Sequence, residues 1–143
     1  VDTAFAHLKN IPILNALRDD AIADLWRSGE TIRLAAGECL FRRGDRSEGG
    51  FLVMSGCVEL SSVSQTSPSR FVYPGSLIGE FSLVAETERS ADAVASERSE
   101  LRKIRRSEFM RVLRSDPVSA AKVRVYIESR ASELAKSLGA FHR

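Results

Sequence analysis

Two cysteines and two histidines are all that this 143-residue chain offers to metal or thiol chemistry. Cys39 and Cys57 stand alone in apolar stretches, with no CxxC or Cys/His grouping, which argues against a zinc site, an iron–sulfur cluster and a disulfide framework and favours a reducing, cytoplasmic compartment. His7 and His142 lie near opposite termini, so no serine or cysteine has a histidine base beside it. An enzyme, a metal site and a bound cofactor are therefore not expected. Long apolar runs are missing too: Phe51-Leu52-Val53-Met54 is the longest, far below the roughly 18 residues of a spanning helix or the h-region of a signal peptide. No membrane contact is expected of this segment. An excess of one charge is also lacking, since 21 basic against 19 acidic residues leave +2, too little to imply direct nucleic-acid binding. The basic run Arg102-Lys103-Ile104-Arg105-Arg106, with Arg111 and Arg114 after it, reads as a solvated strand face and helix face. Aromatic residues are few, 7%, and Trp26, Phe41, Phe51, Phe71 and Phe109 fall at core-facing periods. Cys39 and Cys57 read as small buried hydrophobes.

What is present is the 43% hydrophobic, 28% charged composition of a globular chain. Leu14, Leu17, Ala21, Ile22, Leu25 and Trp26 recur on one side of a predicted helix over 13–29, with Asp19 and Asp20 in its first turn and Gly29 ending it. From Glu30 to about Arg105 the helical period gives way to short alternating or β-branched runs. Strands are predicted near 30–35, 38–43, 50–55, 57–63, 69–73, 90–96 and 99–105. Their turns are marked by Ala36-Gly37, Gly44-Asp45, Ser55-Gly56, Ser64 to Ser67 and Pro74-Gly75. Ser107 is expected to cap a short helix through Ser115. Asp116-Pro117 then opens a longer one to about Leu138, with Val123, Ile127, Ala131, Leu134 and Leu138 on one stripe and Gly139 closing it. The fold class is thus α+β: a β-barrel or jelly roll with an N-terminal helix and C-terminal helices. A helical segment over 1–29, the β region over 30–105 and helices over 106–143 form a single domain over 1–143. A first residue that is Val and not Met raises the expectation of a longer parent chain.

The segment from Gly75 to Ala91 breaks the strand pattern. Phe81 to Val84 can form one helical turn preceded by Gly75 and Gly79, which leaves backbone N–H groups facing outward. Arg89, flanked by the small Ser90 and Ala91, can offer its planar fork of donors to a phosphate at the same spot. Glu80, an acceptor when ionised, suits a sugar hydroxyl. These residues together describe a pocket for a phosphorylated sugar.

The run GEFSLVAETERSA resembles the phosphate-binding cassette of the cyclic-nucleotide-binding domain family, as found in catabolite activators, kinase regulatory subunits and cyclic-nucleotide-gated channels. The resemblance continues in AAGECLFRRGD (35–45), FLVMSGCVEL (51–60) and YPGSLIGE (73–80) and covers about residues 10–138. It implies a cassette over 79–91 in which Arg89 pairs with the phosphate oxygens of cAMP or cGMP and Glu80 accepts from the ribose 2′-hydroxyl. Gly79, Phe81, Ser82, Ser90 and Ala91 would line phosphate and ribose, with backbone N–H groups from Phe81, Ser82 and Ala91. A base cap from the last helix would be Tyr126, Ile127 or Arg130, and no motif selects among them. Glu88 replaces the family's frequent Pro before the Arg. Gly50 replaces a larger apolar residue, implying a looser strand edge. Ser90 fits guanine contacts, but cAMP is favoured over cGMP.

The expected function is an allosteric ligand sensor: the nucleotide shifts the C-terminal helix, which controls a neighbouring channel, transporter or enzyme domain or a partner protein. The chain ends at Arg143, leaving no room for a following helix-turn-helix, so direct DNA reading is not expected. The alternative is a ligand-free interaction or structural domain of the same fold, with Glu80 and Arg89 as an internal salt bridge.

Overall fold

A computed structural model describes the backbone over residues 2–61 and 68–141 and the side chains over 6–61 and 68–131. Three helices open the chain: α1 (Asp2–Asn10), α2 (Pro12–Asn15) and α3 (Asp19–Ser28). The single helix predicted over 13–29 is therefore split, and α1 was not anticipated. The split has local causes. Asn15 turns its side-chain amide back to donate to Lys9 O at 3.0 Å, while Arg18 takes an extended conformation (φ −71°, ψ 158°) that restarts the helix with Asp19 and Asp20 in its first turn, where they oppose the positive end of the dipole.

Eight strands follow: β1 (Glu30–Leu34), β2 (Cys39–Phe41), β3 (Gly49–Ser55), β4 (Val58–Ser61), β5 (Arg70–Val72), β6 (Leu77–Ile78), β7 (Asp92–Ala95) and β8 (Ser99–Arg105). Seven match predicted strands with ends moved by a residue or two. The two-residue β6 was missed, being too short to show a period. All pairings are antiparallel, in two four-stranded sheets ordered β1-β8-β3-β6 and β2-β7-β4-β5. The architecture is the jelly roll of the predicted α+β class and not a closed barrel, because no described strand pairs across from one sheet to the other.

Alternation along β3 and β8 explains the layering. Phe51, Val53 and Leu101 face the second sheet, joining Val58, Val72, Ala93 and Ala95 in a sandwich core. Leu52 and Ile104 point the other way, into a core with Leu8, Leu14, Ile22, Leu25, Phe109 and Val123 of the helices. The turn glycines Gly37, Gly44, Gly56 and Gly75 all have positive φ, as the turn chemistry requires.

After β8 come α4 (Arg106–Arg114) and α5 (Pro117–Phe141). Ser107 does not cap α4: Arg105 is its N-cap, and no side chain bonds there. Asp116 does cap α5, accepting from Ser119 N at 3.4 Å and Ser119 Oγ at 2.5 Å, and Arg18 Nε lies 2.9 Å from its Oδ2. The Ser119 hydroxyl, foremost, then the Ser119 N–H and Arg18 hold the Asp116 carboxyl below its ordinary value against the opposing effect of burial. Gly139 does not close α5, which runs on to Phe141. On its expected stripe Val123 is buried, Ile127 is half-buried and Ala131 is exposed, and the side chains of Leu134 and Leu138 lie outside the described residues, as do the turn Ser64 to Ser67 and His142.

Other expectations fail for stated reasons. Phe71, 45% exposed, lies on the outer face of β5, since its neighbour Val72 takes the inner one. Cys39 is only half-buried, whereas Phe41 and Trp26, also half-buried, pack against the two cores as expected. The strand half of the basic run is half-buried and tied into the fold, whereas Arg111 and Arg114 lie on an exposed helix face as expected. Arg102 lies 4.8 Å over the Trp26 ring and donates to Trp26 O and Thr31 Oγ1, Arg105 pairs with Glu30 at 2.6 Å, and Arg111 pairs with Asp24 and Glu108.

Candidate ligand-binding site

The segment that breaks the strand pattern forms a 3₁₀ turn, Glu80–Leu83, between β6 and β7. Gly79 precedes it in the left-handed conformation (φ 81°, ψ 49°). A Cβ there would lie 2.6 Å from Arg89 Nη1, so Gly79 is required both by its backbone and by the guanidinium beside it. Two more contacts fix the loop. Arg89 N donates to Asp45 O and Gly44 N donates to Arg89 O, both at 2.8 Å. The hydroxyls of Ser47, Thr87 and Ser82 form a chain with 3.1 Å links.

Arg89 is only 8% exposed. Its Nη2 donates to Gly49 O at 2.9 Å and its Nη1 to Ser82 Oγ at 3.4 Å. The guanidinium lies 4.4 Å from the Phe41 ring centre and 5.5 Å from that of Phe51, a geometry that stabilises a cation. Among the described residues no carboxylate forms an ion pair with it. Burial pushes its pKa down, Asp45 opposes that shift, and Arg106 adds to it. A buried cation of this kind is costly unless an anion joins it.

A cavity of about 220 Å³ lies against this guanidinium. Gly79, Glu80, Phe81, Ser82, Arg89, Ser90 and Ala91 all line it, so the structure brings the whole predicted set together. Glu88 also lines it, and its backbone bridges Arg46. One expectation does not hold, and the salt bridge of the alternative reading is not formed. Ser82 N–H is bonded to Gly79 O at 3.1 Å within the 3₁₀ turn and is not free for a ligand. Glu80 forms no ion pair with Arg89; its Oε1 instead accepts from Tyr126 OH at 2.8 Å.

Of the three base-cap candidates, Tyr126 reaches the site through Glu80, Ile127 packs on the helical core, and Arg130 is exposed on α5. None of them lines the cavity. Sequence reasoning missed Phe41, Leu60, Thr87 and Arg70, which do. It also missed Arg106, whose Nη1 donates to Ser47 O, Ser82 O and Ala85 O at 3.1–3.2 Å and so ties the cassette to the start of α4. Gly50, expected to loosen a strand edge, is buried, and a Cβ there would press on Ile78 O at 3.1 Å and Gly79 O at 3.3 Å. The missing side chain lets the cassette lie close to β3.

The family model of the cyclic nucleotide-binding domain matches residues 31–116, which hold all the described strands but the first residue of β1, and the residues lining the cavity. The chain belongs to the cyclic nucleotide-binding domain family. It is 33% identical over 130 residues to the cyclic AMP receptor protein of Thermus thermophilus, covering 88% of this chain and 60% of that one. It is 28% identical over 127 residues to the cAMP-dependent protein kinase regulatory subunit of Emericella nidulans, covering 89% of this chain and 30% of that one. The chain thus spans less than two thirds of the length of either relative. Among solved structures, the N-terminal domain of a transcriptional regulator from Streptomyces coelicolor superposes with a TM-score of 0.80 at 27% identity, covering 92% of this chain and 94% of that one. The family binds cyclic nucleotides, and the named relatives are regulatory proteins. Among the described residues no helix is long and apolar enough to cross a membrane.

Proposed function

We propose that this chain is a non-catalytic sensor domain for a purine 3′,5′-cyclic nucleotide. The observation that carries the reading is the Arg89 guanidinium, buried against a cavity with no carboxylate paired to it among the described residues. A cyclic phosphate, anionic and rich in acceptors, would supply the missing partner. Glu80 stands next along the cavity wall and keeps Oε2 for the ribose 2′-hydroxyl while Oε1 holds Tyr126. Gly79, Phe81, Ser82, Ser90 and Ala91 shape the walls, the first through its missing side chain and the last two through their small size. Ligand names support cAMP: the two curated relatives named above carry it in theirs.

The Glu80–Tyr126 bond is the connection to output. Tyr126 lies on α5, so a ribose that orders the Glu80 carboxylate also strengthens the hold on that helix, and α5 passes the change to a neighbouring domain or partner protein. That the chain spans 60% and 30% of its curated relatives agrees with a regulated partner domain. The alternative, a ligand-free domain braced by Glu80 and Arg89, is disfavoured because the brace is not formed. Calorimetric titration of cAMP and cGMP into the protein, with Arg89→Ala alongside, tests the reading. Saturable binding that the variant loses is expected; a folded protein silent with both nucleotides would refute it.

A further inference from the structure

The three hydroxyls behind the cassette have a direction, which a count of their protons gives. Ser47 Oγ lies 3.1 Å from Thr87 Oγ1, and Thr87 Oγ1 lies 3.1 Å from Ser82 Oγ. The two ends of the chain differ. Ser47, 1% exposed, lies in the loop before β3 and grips Thr87 through the backbone as well: Ser47 N–H donates to Thr87 O at 2.9 Å, and Thr87 N–H donates to Ser47 Oγ at 3.1 Å. Ser82, 4% exposed, lines the cavity. A Cβ on Gly79 would come 2.6 Å from Arg89 Nη1 and 3.5 Å from Ser82 Oγ, so hydroxyl and guanidinium flank the same glycine.

A hydroxyl has one proton to donate and two lone pairs with which to accept. Among the described residues Thr87 Oγ1 is the one acceptor that the Ser47 proton reaches, and a buried donor left unpaired is costly. Ser47 therefore donates to Thr87. With an anion in the cavity, one arrangement gives every remaining proton an acceptor: Thr87 donates to Ser82 Oγ, and Ser82 donates to the anion. In that arrangement Ser82 Oγ accepts from Thr87 and from Arg89 Nη1, which fills both lone pairs. An oxygen polarised by a cation and by a second donor is itself a stronger donor.

We infer that Thr87 is a positioning residue that aims the Ser82 hydroxyl proton at the bound phosphate. The inference rests on the cyclic-nucleotide reading above. It also accounts for the loss of the Ser82 N–H, which is occupied by Gly79 O: the side chain supplies the donor that the backbone does not. Thr87 itself touches no phosphate oxygen in this account. Its hydroxyl acts through Ser82, and Ser47 holds it in place.

The test is to titrate cAMP and cGMP by calorimetry into wild type, Ser82→Ala, Thr87→Val, Thr87→Ser and the double variant Ser82→Ala/Thr87→Val, with circular dichroism to confirm folding. Ser82→Ala is expected to lose affinity about tenfold or more, as befits a hydrogen bond to a charged group. Thr87→Val keeps the shape and the N–H but not the hydroxyl, and is expected to lose about three- to tenfold. Thr87→Ser, which restores the hydroxyl, should bind within about twofold of wild type. In the Ser82→Ala background Thr87→Val should have no further effect, because the residue it acts through is gone. Equal losses from Thr87→Val in both backgrounds would make Thr87 a wall of the cavity and overturn the inference. Wild-type affinity in Ser82→Ala or Thr87→Val would also overturn it, as would a Thr87→Ser variant as weak as Thr87→Val. Folded wild-type protein that binds neither nucleotide overturns the cyclic-nucleotide reading itself.

Discussion

Replacing Arg89 by methionine separates a residue kept for a ligand from one kept for the fold. The substitution removes a charged hydrogen bond to Gly49 O at 2.9 Å, a longer one to Ser82 Oγ at 3.4 Å, and the stacking on Phe41 and Phe51. The charged hydrogen bond stabilises by about 1.5–3 kcal/mol and the ring contacts by about 1–2 kcal/mol. Against these stands the cost of holding a cation out of water with no counter-ion, several kcal/mol in proteins. The opposing effects nearly cancel. Unliganded Arg89→Met is therefore expected to unfold in urea within about 2 kcal/mol of the wild type. Cyclic nucleotide tells the two apart: at a hundred times Kd it adds about 2.7 kcal/mol to the wild type, a rise of roughly 10 °C in Tm for a chain of this size, and nothing to the variant. An unliganded loss above about 4 kcal/mol would make Arg89 a structural brace, and retained ligand stabilisation would place the phosphate elsewhere. Either result refutes the reasoning.

Tyr126→Phe removes only the hydroxyl that reaches Glu80; the extra protection of α5 amides on nucleotide binding, read by hydrogen exchange, should disappear while the fold persists. Gly79→Ala puts a methyl into a positive-φ position and 2.6 Å from Arg89 Nη1, so both stability and nucleotide affinity should fall, stability by about 1–3 kcal/mol in thermal or urea unfolding; wild-type affinity in this variant would show that Arg89 yields at no cost. Asp116, with its folded pKa below the ordinary 3.8, stabilises the fold above that value, and the contribution is lost as pH falls through the folded pKa. Asp116→Ala should therefore be less stable than wild type at pH 7, and the two acid-unfolding curves should converge below about pH 4; parallel curves would count against the cap as their cause.

Much of the site could be read from sequence because its residues are neighbours in the chain. Gly79, Glu80, Phe81 and Ser82 lie on one turn, and Arg89 to Ala91 return to it across a single loop, so local chemistry and spacing were enough. Phe41, Leu60 and Arg70 come together only through β-sheet register, which one sequence does not specify across three strand pairings. The arginines show the same limit. Arg89, Arg102 and Arg106 all sit in polar, Ser- or Arg-rich surroundings, yet the first faces a cavity, the second stacks on Trp26 and the third holds three carbonyls of the cassette and the loop before β3. Only the fold distinguishes them. Gly50 misled for a related reason: a missing side chain reads as slack until the backbone it admits is seen.

The Glu80–Tyr126 bond also bounds how strongly this domain can act. Because Glu80 serves ribose and α5 through its two oxygens, the nucleotide and the docked helix reinforce one another, and linkage makes that reinforcement reciprocal. Whatever factor the nucleotide adds to the docking of α5, the docked helix adds to nucleotide affinity. A hydrogen bond to a charged group stabilises by about 1.5–3 kcal/mol, so this bond alone can shift the α5 equilibrium by at most about 10- to 150-fold. Tyr126→Phe must then weaken nucleotide binding by the same factor by which it weakens the ligand's hold on α5. Calorimetry and hydrogen exchange measure the two sides of that equality separately. If affinity rises in Tyr126→Phe, tyrosine and ribose compete for Glu80, and the nucleotide releases α5 instead of fastening it.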